Sequence, residues 1–194
     1  MPSIFASLEE REPTLCVSHV SLMSLDGSIA QSPNESDELR RSYGFGCGAD
    51  RDFVESCLCK AEAVVISGAT LRVAGSMWQT PNAPKWFVVS EQLKDLTPWG
   101  VGELISGADP VESIVSECKK YNLKKIVLLC GGQLAKLFYE KGVVSELFMT
   151  IAPYVLGVSS RVPAFPSHPQ GLNLPLKLQA VSEDQGHVFL CYYL

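Results

Sequence analysis

Three short segments hold residue types whose spacing suits ligand chemistry. Cys130-Gly131-Gly132-Gln133-Leu134 lies where an apolar run gives way to a helical pattern. Glycines at such a junction let a phosphate approach the backbone, and the first amides of the helix, with its dipole, favour the negative charge. The spacing is not G-x-G-x-x-G, so a tight strand-to-helix turn is the alternative reading. Ser67-Gly68-Ala69-Thr70 ends a second apolar run. Open α/β sheets bind ligands at these carboxyl ends, though an ordinary βα turn has the same composition. In the third, Ser24-Leu25-Asp26-Gly27-Ser28-Ile29-Ala30, Asp-Gly is a turn signal shared with plain hairpins. Small residues beside the Asp26 carboxylate would also wall a flat ring.

These segments need elements to position them. The apolar run 14–24 predicts a buried strand that enters the Asp26-Gly27 turn, and 31–48, with Pro33, Asn34 and several glycines, predicts a loop over a site. Phe53, Val54, Cys57, Leu58 and Ala61 recur at helical spacing after Asp50. Runs 63–66, 86–89 and 125–130 predict strands, 71–83 an irregular stretch, and 101–105 a short strand. Asp109 as N-cap, Pro110 at the first helical position and Glu112 in a capping box start a helix that runs to Tyr121. A helix over 133–141 stops at Gly142. A strand over 147–152 follows. Five prolines in 153–175 argue against regular structure there, and strands near 176–181 and 188–193 close the chain around a polar turn. The alternation calls for an α/β fold: a mostly parallel central sheet flanked by helices, with antiparallel closing strands. Residues 1–13 read as an N-terminal arm and 14–194 as a single domain.

Composition narrows the function. The chain has 194 residues, 46% hydrophobic, with a net charge of -5. A nucleic-acid partner would call for a basic stripe. The densest basic group, Lys119, Lys120, Lys124 and Lys125, is better read as cations at a helix C-terminus. No run reaches the ~20 apolar residues of a membrane span, and the polar N-terminus lacks the pattern of a secretory signal. A cytoplasmic protein is expected. The seven cysteines form no C-x-x-C, and Cys57 and Cys59 would point ~200° apart on a helix. No metal site is expected. Cys130, at a strand end beside a helix N-terminus, is either a stabilised thiolate or a buried inert thiol.

Taken together, the blocks resemble the riboflavin-pathway reductase family. The resemblance runs in order: Val20 to Ala30 with its S-L-D-G-x-I-A core, the segment ending at Ser67–Thr70, the G-G-x-L of Gly131 to Leu134, Gly142-Val143-Val144-Ser145-Glu146-Leu147, and Ile151-Ala152-Pro153-Tyr154-Val155-Leu156-Gly157. It covers about residues 15–194 and implies a dihydrofolate-reductase-like fold, NADPH as cofactor, a small-molecule substrate and a homodimer. It also implies that the pyrophosphate lies between Ser67, Gly68, Ala69, Thr70 and Gly131, Gly132, Gln133, Leu134. Ser90 would stand near the adenosine 2′-phosphate, and Leu22, Gly27 and Ile29 would border the nicotinamide. Asp26 is the catalytic candidate, and Ser24, Ser28, Arg72 and Cys130 the substrate-side ones.

Three substrate-side positions depart from the family pattern. Leu71-Arg72-Val73-Ala74-Gly75 replaces a D-N-P-x-L-x-x-R stretch whose Arg helps hold substrate phosphate, Cys130 stands where an acid precedes the glycine pair, and Ser28 replaces a basic residue. Three readings stay open: reduction of a phosphoribosylaminouracil or related ribosylamine, reduction of a dihydrofolate-type pterin, and a non-catalytic nucleotide-binding protein on the same fold.

Overall fold

In a computed structural model, which describes residues 15–46, 48–75, 78–82, 84–100, 102–167 and 171–194, the first apolar run forms β1 (Cys16–Ser24) at the heart of an eight-stranded sheet. Parallel partners flank it, β6 (Lys125–Leu128) on one side and β7 (Glu146–Ala152) on the other. Beyond β6 lie β3 (Ala63–Ser67), β4 (Lys85–Val89) and β5 (Glu103–Ile105), all parallel. Beyond β7, β10 (His187–Tyr193) and the edge strand β9 (Lys177–Asp184) pair antiparallel. The order is therefore β5-β4-β3-β6-β1-β7-β10-β9, the mostly parallel sheet with antiparallel closing strands that the alternation predicts.

Side chains alternate across the strands, so the sheet makes two cores. Val20, Val64, Ile66, Val88, Phe148 and Phe189 pack under α2 (Ala49–Leu58) and α3 (Gly68–Ala74). Val17, Val65, Phe87, Ile126 and Leu128 pack under α4 (Pro110–Lys120) and α5 (Gly132–Glu140). Helices thus cover both faces, as purely parallel pairing requires.

The structure corrects three local expectations. Where 31–48 predicts a loop, residues 37–42 form the helix α1 (Asp37–Ser42): Ser36 accepts from Leu39 N at 3.1 Å, acids fill its first turn and Arg40 and Arg41 its last. It buries none of its residues, so it leaves no apolar period to read. Where 67–70 predicts a turn and 71–83 an irregular stretch, Ser67 caps α3, which continues to Ala74 and stops at Gly75 with φ 75°. In the proline-rich stretch, β8 (Val162–Pro163) pairs with β2 (Ser28–Ala30), tying that segment to the Asp26-Gly27 turn. The expected arm 1–13, and Thr14, lie outside the described residues.

Candidate active site

Because β3, β4, β6, β1 and β7 run parallel, the segments that follow them share one rim. Ser67 Oγ accepts from Thr70 N at 3.0 Å and lies 2.8 Å from Thr70 Oγ1, which caps α3 from within. A Cβ on Gly68 would lie 2.7 Å from Ser90 Cβ and Oγ, so glycine lets the α3 turn close against the end of β4. Ser90 Oγ accepts from Gln92 N and Leu93 N at 3.1 and 3.2 Å. Ala69 is exposed and Thr70 half-buried.

At the β6–α5 junction Gly131 is the N-cap, and no side chain caps α5. A Cβ on Gly131 would touch only Ile29 Cδ1, at 3.4 Å. Gly132 differs: a Cβ there would collide with the Ala164 carbonyl oxygen and lie 2.6 Å from Pro166 Cδ. Its missing side chain is thus explained by the chain's own backbone. Gln133 is exposed, whereas Leu134 is a core residue whose amide donates to Gly131 O at 3.2 Å. Cys130 is buried and its thiol is pushed up to about 12 by desolvation, so it fits the inert-thiol reading.

After β1, Gly27 takes φ 77°, which the tight turn requires of a glycine. Ser24 Oγ donates to Asp26 Oδ1 at 2.5 Å and accepts from Ser28 N at 3.0 Å. Leu156 N and Gly157 N donate to the same carboxylate at 3.1 and 3.0 Å, and Arg161 lies 3.5 Å from it. The Ser24 bond, then the Gly157 and Leu156 amides, hold Asp26 well below the usual carboxylate range. A carboxylate so filled has no proton to give. The geometry makes it a clamp between the β1 turn and residues 154–161.

The substrate-side candidates divide. Ser24 and Ser28 stay together beside Asp26, with Ser28 Oγ buried and unpartnered among the described residues. Arg72 sits exposed in the last turn of α3 and makes no ion pair among the described residues.

The structure adds a second group that the sequence did not single out. Asp50, in the first turn of α2, is only 5% exposed, and burial raises its carboxyl pKa against the opposing hydrogen bond from Thr150. Thr150 of β7 stands opposite Leu22 of β1 and Phe189 of β10, and His187, 6% exposed, begins β10. A Cβ on Gly46 would lie 3.2 Å from Leu22 Cδ2 and 4.0 Å from Asp50 Oδ2. Leu22, itself half-buried, therefore borders both the rim and this acid. Only the aspartate's place at a helix start marked it in the sequence, and helix starts favour acids for their own stability. Among the described residues no group of three or more His, Cys, Asp or Glu comes together to hold a metal, and no helix is long and apolar enough to cross a membrane.

The chain is similar to a pyrimidine reductase-like protein from Corynebacterium diphtheriae, at 19% identity and a TM-score of 0.74, over 94% of this chain and 92% of that one. It is similar to RibD of Acinetobacter baumannii, at 19% identity and a TM-score of 0.75, over 93% of this chain but 58% of that one. The dihydrofolate reductase of Enterococcus faecalis, solved with NADP(H), superposes at a TM-score of 0.59 with 16% identity, over 92% of this chain and 95% of that one. These likenesses bear out the dihydrofolate-reductase-like fold. No curated protein matches the sequence. The model of the RibD C-terminal domain matches residues 16–189, so the chain belongs to that family, the riboflavin-pathway reductases.

Proposed function

We propose that the chain is an NADPH-dependent reductase that delivers hydride to a C=N or C=O carbon of a small heterocycle or ribosylamine, of the phosphoribosylaminouracil kind. One observation carries the reading: α5 opens at Gly131 with no side-chain cap, on the same rim as the Ser67–Gly68 junction, which follows the neighbouring strand β3. NADPH would supply the hydride. The amides of Gly132 and Gln133 would face its pyrophosphate, with Gly131 leaving room for the approach and the α5 dipole favouring the charge. Gly68, Ala69 and Thr70 would take the other side, Ser90 the adenosine 2′-phosphate, and Leu22, Gly27 and Ile29 the nicotinamide. Ser24, Ser28 and the nearby clamp would hold substrate in place beside that ring.

The test is binding and turnover together. Saturating NADPH should raise the melting temperature, by roughly 2.7 kcal/mol of added stability at a hundred times Kd. Absorbance at the NADPH band should fall with the phosphoribosylaminouracil as substrate and not with dihydrofolate. Absence of both binding and turnover would sink the proposal.

The same reading expects a homodimer in the cytoplasm. β9 is a sheet edge carrying exposed Leu178 and Val181, beside exposed Leu174 and Leu176. A second copy covering these side chains would remove an apolar edge that a lone chain leaves in water. Sedimentation at a single monomer mass across concentrations would rule the dimer out.

A further inference from the structure

The segment after β7 returns to the rim and touches two separate parts of it. Val162 and Pro163 pair with Ala30 and Ser28 of β2, and Ala164 N donates to Gly27 O at 2.9 Å. The Ala164 carbonyl then meets Gly132 at the start of α5, with Pro166 Cδ beside it. Residues 162–166 thus run from the turn after β1 to the first turn of α5. Phe165 fixes that span against the body of the fold. It is 45% exposed, yet its ring stands T-shaped to His19 of β1 at 6.4 Å and tilted against Tyr139 of α5 at 6.3 Å. These two are themselves joined, with His19 Nδ1 2.9 Å from Tyr139 Oη. His19 is wholly buried, and its Nε2 has no hydrogen-bond partner among the described residues. Desolvation pushes this imidazole down to about 4.

We propose that residues 162–166 form a bridge that sets the distance between the nicotinamide half and the pyrophosphate half of the dinucleotide site, with Phe165 as its positioning residue. This rests on the NADPH assignment above. Gly27 borders the first half and Gly132 opens the second, and Ala164 touches both, one through its amide and the other through its carbonyl. A ligand of two linked parts binds tightly where its subsites already stand the right distance apart, because the second contact is then intramolecular. Spacing matters again in hydride transfer, where a small misplacement of the ring lowers the rate. The clamp at Asp26 secures the near end of the bridge: Arg161, immediately before Val162, donates to Asp26 O at 2.7 Å. At the far end the aromatic contact keeps Ala164 against Gly132.

Phe165→Ala tests the bridge at a site exposed enough for the chain to keep its fold. Binding is measured with NADPH and, separately, with its two pieces, nicotinamide mononucleotide and 2′-phosphoadenosine diphosphate. The variant should bind NADPH about tenfold or more weakly, while each piece keeps its wild-type affinity within about twofold. Phe165→Leu, which keeps apolar bulk against His19, should restore most of the loss. In the cofactor-free chain, NMR titration of His19 should show its pKa climbing from about 4 toward the ordinary imidazole value once water reaches the ring in Phe165→Ala. Equal NADPH affinity in wild type and Phe165→Ala overturns the proposal. So does an equal loss in the binding of either piece, which marks a damaged half-site rather than a changed spacing. A changed sedimentation mass at unchanged NADPH affinity also overturns it and reassigns Phe165 to a contact between copies. If the wild type binds neither NADPH nor its pieces, the cofactor assignment falls and takes the bridge with it; wild-type binding that is indifferent to Phe165→Ala sinks the bridge alone.

Discussion

Asp26 and Gly132 show how a residue type can be read from sequence while its job cannot. Asp26 advertises a carboxylate in a small-residue turn. What the turn does with it depends on Leu156, Gly157 and Arg161, which are more than a hundred residues away in the chain and come from the segment after β7. The depressed pKa carries a pH consequence with a definite sign. A carboxylate held below its unfolded value of ~3.9 contributes stability above that value and loses it as pH falls toward the folded one. Asp26→Asn should thus lower the urea midpoint at neutral pH and flatten its decline on the acid side. An acid limb identical to wild type would remove the clamp from the account. Gly132 was legible as a glycine at a strand-to-helix junction, but the contact that demands it, Ala164, lies in a stretch whose prolines hide its path. Gly132→Ala forces that backbone aside and should cost ~1–3 kcal/mol in denaturant unfolding, as overpacking does.

Helix α4 was legible end to end because its signals are local. Asp109 accepts from Glu112 N at 3.1 Å, Pro110 opens the first turn, and Val111, Ile114 and Cys118 face the core. Asp109 also pairs with Lys141 at the end of α5, a tie that no local pattern announces. Asp109→Ala should lower the unfolding midpoint, mostly through the lost cap, since the ion pair is exposed; equal unfolding midpoints would argue that the cap is idle. Helix α1 stayed hidden for the opposite reason. It buries no residue, so its evidence is capping and charge alone, and its role is to carry Arg40 toward Ile29. The group around Asp50 suffers most from this. Asp50, Thr150 and His187 sit on α2, β7 and β10, and only the sheet register brings them together.

Across the whole molecule, the order of buried runs and helical patterns was enough to give a mostly parallel sheet covered on both faces, and the rim that gathers the glycine-bearing junctions followed from where those strands end. The position of β1 in the middle was not deducible from periodicity, because pairing partners are chosen by packing rather than by neighbourhood in sequence. That placement has a consequence for how the chain comes into being. The central strand waits for partners made much later: Cys16 pairs with Lys125, and Ser18 with Glu146. During synthesis β1 must stay unpaired, with its apolar side chains exposed, until β6 and β7 emerge. Closing such long loops is entropically slow. A chain cut after residue 124 should show no cooperative thermal transition, whereas one carried through residue 194 should show one. Ribosome-bound intermediates of that intervening length would then be the natural clients of holding chaperones.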